Sequence, residues 1–377
     1  MRILLLTGGG DCPGLNAVLR AVVKTVHNQH GGQVIGVRNG VEGFLAPRDA
    51  GFVTVTRDLV SGLLPRGGTI LGASNRCDLF AVKGPRGRVR DESARVPRAL
   101  RRHRAEALVM VGGEGTMGAA LRLHRMGVPV VGVPKTIDND LAATDLTFGF
   151  DTAVSIVAEA LDRLHTTAES HHRVMCVEVM GRHAGWIALH GGLAGGADVI
   201  LLPEIPYDLA RVARRLQDRA RHGRTFSIVV VAEGARPEGG RLTWTRGRGK
   251  DPIGDRLGGA GEAVARELAR RTGLETRSVV LGHVQRGGTP TAFDRVLATR
   301  MGEHAVRLVE RRELGRMVSL QGTRMGAVPL EQAVSRLKQV DPGSDTVLAA
   351  RRIGVSFGAA DGGDDAFLAR RRRHKAP

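Results

Sequence analysis

Short apolar runs recur along this chain. Each is followed by small or polar residues and then by an apolar stripe with helical spacing. Residues 3–7 lead into Gly8-Gly9-Gly10-Asp11 and, from Pro13, an amphipathic stretch to residue 26. Residues 107–111 lead into Gly112-Gly113-Glu114-Gly115-Thr116 and a helical stretch over 117–125. The run 128–133 is closed by Pro134, which has no N–H to give to a strand ladder. A continuous apolar run of this length reads as a strand buried on both faces, and glycine then lets the chain turn sharply into a helix. The same reading predicts strands at 33–37, 52–55, 173–180, 198–202, 226–232, 276–281 and 317–320. It predicts helices at 150–167, 207–222, 261–271 and 291–312. Strands alternating with helices imply an α/β fold with largely parallel sheets flanked by helices. Residues 236–258, rich in Gly and Arg and without periodicity, read as a mobile surface loop. Residues 358–377 are acidic and glycine-rich, then polybasic, and are expected to be disordered.

In such sheets the loops beyond the carboxyl ends of the strands bind ligands, so the chemistry is sought there. The turn with Gly9 and Gly10 suits phosphate, because the backbone can approach closely and a helix N-terminus follows. No Lys-Ser/Thr pair follows it at the offset of a Walker A loop. In the second unit of this kind Gly113 and Gly115 flank Glu114, which is placed to bind a metal, and Thr116 is expected at the helix N-cap. After Pro134 come Lys135, Thr136, Asp138 and Asp140. The lysine can face phosphate oxygens, one carboxylate can take a proton, and the other can hold Mg²⁺ directly or through water. A polar turn whose Asp and Asn residues satisfy their own backbone remains open on spacing alone. Arg173, Arg182, Arg277 and Arg286 stand at strand ends, where guanidinium groups can grip phosphate bidentately. Residues 67–76 form another small-residue stretch, ending on Arg76.

Composition narrows the field. With 377 residues the chain can form two domains or one large α/β unit. The net charge of +18 fits anionic partners, but the basic residues are dispersed over several clusters and read mostly as solvated faces. Aromatics at 3% argue against stacking platforms for nucleic acid, and no docking motif is present, so no nucleic-acid partner is expected. Cys12, Cys77 and Cys176 lie far apart, which suggests neither a disulfide framework nor a zinc site. The apolar start is too short for a signal peptide, and no run approaches the ~18 residues of a membrane span. A cytoplasmic protein without membrane contact is expected.

Taken together, these residues give the chain a resemblance to the 6-phosphofructokinase family. The matching segments are GGDCPGLNAVLR from Gly9, GGTILG from Gly67, GGEGT from Gly112, PKTIDND from Pro134, HHRVMCVEVMGRHAGW from His171, VVAEGA from Val230 and ETRSVVLGHVQRGGTP from Glu275. They occur in the family's order over roughly residues 1 to 320. The resemblance implies two domains with the active site in the cleft between them: 1–150 plus about 285–335 for the phosphoryl donor, and 151–284 plus about 336–357 for the sugar phosphate. It also implies Mg²⁺ and a homotetramer (or homodimer) in which some sugar-phosphate contacts cross a subunit interface. By motif match Asp138 looks like the general base for the C1 hydroxyl of fructose 6-phosphate, with Thr136 and Arg182 beside it and Ile137 in the same contact. Met180, Gly181, Arg182, Glu233 and Arg286 would bind the sugar phosphate. Arg173, Arg277 and His283 match the 6-phosphate contacts, two of which a neighbouring subunit typically lends. Glu114 and Asp140 are the metal candidates. Gly9, Gly10, Arg76, Gly113, Gly115, Thr116 and Lys135 would hold the donor. Either Asn75 or Arg76 takes a bridging role, with Arg76 favoured by charge. Val41 stands where an aromatic often lies against adenine.

For the donor, glycine at the position of Gly115 goes in this family with room for the α-phosphate of ATP, whereas Lys135 is more usual where pyrophosphate is used. Steric and charge exclusion is the stronger discriminator, so ATP is expected and pyrophosphate is the alternative. A non-catalytic sugar-phosphate-binding regulator would keep the arginines and lose the base; Asp138 speaks against it.

Overall fold

The computed structural model describes residues 1–74, 77–84, 87–240, 244–245 and 256–360, with backbone alone at 244, 245, 256 and 257. Arg76, the favoured bridging residue, lies outside these residues, as does most of the loop predicted over 236–258 and of the tail predicted over 358–377.

The first strand, β1 (Arg2–Thr7), is buried throughout after Arg2. Its helix α1 (Leu15–His30) starts two residues later than expected, because Gly14 sits at φ 104°, a left-handed conformation outside the helix. Then come β2 (Gln33–Val37), a 3₁₀ turn at Gly40–Leu45, β3 (Phe52–Val55), a small ribbon of β4 (Val82–Lys83) and β5 (Val89–Arg90), and α2 (Arg95–His103). Next are β6 (Ala107–Gly112), α3 (Glu114–Arg125) and β7 (Val130–Pro134). Helix α4 (Phe150–His171) leads to β8 (Val174–Val179), α5 (Trp186–Ala194), β9 (Val199–Leu201), α6 (Leu209–Arg221) and β10 (Ser227–Ala232). The two-residue strands β11 (Trp244–Thr245) and β12 (Arg256–Leu257), α7 (Ala260–Thr272) and β13 (Thr276–Val280) follow. The chain closes with α8 (Ala292–Glu310), β14 (Arg316–Gln321), β15 (Arg324–Pro329), α9 (Leu330–Ala333) and α10 (Asp345–Arg352). Helices α6 and α8 begin where a side chain caps them: Asp208 accepts from the Ala210 N–H and Thr291 from the Asp294 N–H.

The chain divides into two units, Met1–Thr152 with Arg286–Leu337, and Ala153–Gln285 with the chain from Lys338. The first holds a seven-stranded sheet in the order β15-β14-β7-β6-β1-β2-β3. Its five central strands are parallel, and only the edge strands β3 and β15 run antiparallel to their neighbours. Because alternate residues of a strand face opposite sides, Leu4, Leu6, Leu108, Met110 and Val130 share one face, packed on Met117 and Leu123 of α3 and on Leu330. Helices α1 and α8 also pack closely: a Cβ on Gly302 would lie 2.8 Å from the Val18 carbonyl oxygen, so only glycine lets the two backbones approach so near. The second unit holds a four-stranded, wholly parallel sheet in the order β13-β8-β10-β9.

Candidate active site

In the first unit three neighbouring strands, β7, β6 and β1, end side by side. Gly112 is in register with Pro134, and Thr7 with Val111. The loops after them therefore issue from one edge of the sheet, and backbone hydrogen bonds join them: the Gly8 N–H donates to Val111 O (2.8 Å) and the Lys135 N–H to Gly112 O (3.0 Å). The three glycine- and acid-bearing stretches of the sequence thus line one cavity of about 480 Å³. Its walls include Gly8, Gly9, Gly10, Gly113, Glu114, Gly115, Thr116, Lys135, Thr136, Asp138 and Arg286.

Thr116 is buried and packs between two of the loops. A Cβ on Gly8 would come within 2.6 Å of its Oγ1, and one on Gly112 within 2.2 Å. Thr116 is not the N-cap of α3. That position belongs to Gly113, whose extended backbone starts the helix at Glu114, and no side chain caps it. The first-turn N–H groups are therefore left without a capping side chain at the cavity wall, a favourable place for an anion. A Cβ added at Gly115 would meet nothing within 4 Å.

Lys135 is almost fully buried, and its ammonium donates to the carbonyl of Gly10. Burial lowers its pKa; Arg286 adds to this, while Cys12, Asp11 and Asp138 oppose it. The Asp138 N–H donates to Thr136 Oγ1 (3.1 Å), but the buried Oδ1 of its own carboxylate has no hydrogen-bond partner. Burial raises the Asp138 pKa to about 6; the Asp140 charge raises it further, and Arg286 and Lys135 pull it down. The guanidinium of Arg286 donates to Asp11 O (3.4 Å) and lies against Gly10. Asp140 is half-buried and outside the cavity lining, and Ile137 is wholly buried. No group of three or more His, Cys, Asp and Glu side chains could hold a metal among the described residues.

The second unit uses its sheet in the same way. Val179 of β8 is in register with Ala232 of β10, so Met180, Gly181 and Arg182 emerge beside Glu233. The Gly234 N–H donates to Gly181 O (3.1 Å) and the Glu233 N–H to Val179 O (2.9 Å). Gln285, two residues past His283 in a 3₁₀ turn, accepts from the Met180 N–H (3.3 Å). Arg173 and Arg277 are elsewhere. Arg173 precedes β8, and Arg277 pairs with Met175, so both lie at the amino end of that strand, away from Met180. Met180 is seven residues on from Arg173, about 23 Å at ~3.3 Å per residue. Both arginines meet one acid, Glu275, at 2.9 Å and 2.7 Å. The strand-end arginines are therefore not one cluster within this chain: Arg182 stands at the carboxyl end of the second sheet and Arg173 and Arg277 near its amino end.

Sequence reasoning missed several cavity residues. Cys77, Asp78, Leu79 and Phe80 line it together with Val41. The Phe80 ring carries the Arg122 guanidinium 3.5 Å from its centroid, and Asp78 pairs with the same arginine at 3.4 Å. The available signal was an aromatic shortly after GGTILG in a chain with so few aromatics. Glu275 was missed as the shared partner of the two arginines.

The model of the Phosphofructokinase family matches residues 2–309. The ATP-dependent 6-phosphofructokinase of Chloroflexus aurantiacus is 51% identical over 357 residues, covering 95% of this chain and 98% of that protein. The pyrophosphate–fructose 6-phosphate 1-phosphotransferase of Streptomyces coelicolor is 52% identical over 360 residues, covering 95% and 100%. Among solved structures, the Saccharomyces cerevisiae phosphofructokinase superposes with a TM-score of 0.73 at 30% identity over 94% of this chain, which spans 46% of the yeast chain. With a family model over most of its length and relatives at half identity end to end, the chain belongs to the phosphofructokinase family.

Proposed function

We propose that the chain transfers the terminal phosphoryl group of ATP to the C1 hydroxyl of fructose 6-phosphate, giving fructose 1,6-bisphosphate. The observation that carries this reading is the Asp138 carboxylate: it lines the cavity formed by the glycine loops, and one buried oxygen is left without a partner. Oδ1 itself is sealed from the cavity, so it is the face of the carboxylate lining the cavity that would take a proton from a bound hydroxyl. With its pKa raised to about 6 it is mostly ionised at neutral pH, and a stronger base than an ordinary aspartate. Lys135 and Arg286 supply fixed positive charge, which favours the phosphoryl group as negative charge shifts onto the leaving oxygen. Thr136 fixes the turn under Asp138.

Relatives named for either donor match equally well, so the donor is argued from the cavity. Gly115 leaves open space where an acidic side chain would crowd and repel an α-phosphate. Phe80 brings an aromatic ring to the cavity wall, with one face already carrying the Arg122 guanidinium, where Val41 brings none. Pyrophosphate remains the second reading.

The residues present fit Mg²⁺. A hard cation that keeps its waters and sits on substrate phosphates needs one or two carboxylates rather than a protein cage, and Glu114 stands exposed on the cavity with Asp140 near Asp138. Bound there, the ion would neutralise phosphate charge. The first unit is assigned to the donor. In the second, Met180, Gly181, Arg182, Glu233 and His283 are assigned to the sugar phosphate. Arg173 and Arg277, at the far end of that sheet, suit contacts lent to a neighbouring copy, and a homotetramer or homodimer in the cytoplasm belongs to the same proposal. No helix among the described residues is long and apolar enough to cross a membrane. A coupled assay with each donor at matched Mg²⁺ tests the reading. Turnover of fructose 6-phosphate with ATP is expected; turnover with pyrophosphate and none with ATP overturns the donor, and none with either overturns the reaction.

A further inference from the structure

The loop that carries Asp138 leaves the sheet at Pro134 and returns at Phe148, where an isolated bridge pairs Phe148 with Lys135. Two residues close its inner part. The hydroxyl of Thr147 donates to Thr136 O at 2.7 Å, and the Thr147 N–H donates to Asn139 Oδ1 at 3.2 Å. Asn139 adopts φ 50°, a left-handed conformation that turns the chain directly after Asp138. Thr147 is 1% exposed and Asn139 3% exposed, so water does not compete for these bonds. The outer limb is moored separately: Leu320 N–H donates to Thr144 Oγ1 (3.0 Å), and Asp145 N–H to Leu320 O (2.9 Å). Behind it the Cys12 thiol reaches Phe148 O at 3.7 Å.

The Asp138 Oδ1 has no hydrogen-bond partner that could hold the carboxylate from its own side. Its place is set by the backbone on either side, at Thr136 and Asn139, and Thr147 touches both. We propose that Thr147 is a positioning residue for phosphoryl transfer, its hydroxyl and amide holding the Thr136–Asn139 turn so that the Asp138 carboxylate stays aimed into the cavity. Thr147 does not line that cavity, and it acts only through the turn. The inference rests on the reading of Asp138 as the base.

The test compares Thr147→Val, which keeps the β-branch and the N–H but loses the hydroxyl, with Thr147→Ser, which keeps the hydroxyl. A small misplacement of a reacting group costs about 10²-fold in rate, so kcat of T147V is expected to fall about 10- to 100-fold. The KM for ATP should stay within about twofold, because the glycine loops are untouched, and T147S should recover most of the loss. A thermal melt of each variant accompanies the kinetics. A T147V enzyme that melts earlier but keeps wild-type kcat overturns the proposal, as does an equal loss in T147S. If T147V is insoluble, Asn139→Gly, which tolerates the positive φ and removes the other contact, must show the same kcat loss; wild-type kcat there is equally fatal. Asp138→Asn runs alongside: near-normal turnover in that variant sinks the base assignment itself, whereas a dead D138N beside a normal T147V sinks only the brace.

Discussion

Replacing Asp138 by Asn should make the protein less active and more stable at once. Its carboxyl titrates at about 6 in the folded chain, against an ordinary 3.8, chiefly because it is buried. Between those pH values the folded state holds a proton that the unfolded state has already lost. Stability from this group is therefore fully present below about pH 4, is lost as pH rises towards 6, and does not change further above that. The gap corresponds to about 3 kcal/mol against the folded state at pH 8. An asparagine removes that burden but leaves an amide in a place where one oxygen had no partner, at a cost of about 1–2 kcal/mol. A net gain of about 1–2 kcal/mol is expected at pH 8, and a net loss of about 1 kcal/mol at pH 4, where the carboxyl is protonated in the fold and its burden nearly absent. Asp294, whose pKa burial also raises to about 6, titrates over the same window in both proteins and cancels in the difference. Urea melts of wild type and D138N at both pH values measure it, with kcat from the coupled assay falling about 10³-fold or more. A variant no more stable at pH 8 than at pH 4, relative to wild type, refutes the argument that burial strains this carboxylate. Retained turnover refutes its role.

Three further outcomes follow from the cavity. Gly115→Asp should fold normally, because its Cβ meets open space, yet lower kcat/KM for ATP by about 10²-fold or more in the same coupled assay. Phe80→Ala should raise the KM for ATP about tenfold with little change in kcat, as expected for a contact made equally in ground and transition states. Gly8→Ala, whose new methyl would press on Thr116 Oγ1 at 2.6 Å, should destabilise the protein by about 1–3 kcal/mol in chemical denaturation.

Much of the α/β architecture could be read from the chain, since a continuous apolar run followed by glycine fixes both a buried strand and the turn after it. β6 with Gly112 and β7 with Pro134 are such cases. Strand β15 escaped notice because Arg324–Pro329 is half-exposed and mixes Gly and Pro with apolar residues, so no period of two stands out. The cap of α3 was misplaced because Thr116 is a good capping residue by type, whereas its side chain is used to fill the space between Gly8 and Gly112. The arginines show a different limit. Sequence places Arg173 and Arg182 at strand ends, but the two ends of one parallel strand face opposite edges of the sheet, and only the ladder shows Arg277 joining Arg173. Phe80 sits in irregular chain, where no period marks what faces inward.

The shared acid between Arg173 and Arg277 has a consequence for which anions those arginines can hold. Two guanidinium groups on one carboxylate leave a single unit of positive charge in surplus. Under the proposed role of these arginines, a phosphate dianion brings a second charge and three oxygens matched to the guanidinium forks. It would compete with Glu275, a resident carboxylate, for the same two groups, so the acid would set how readily that phosphate is taken up and let go.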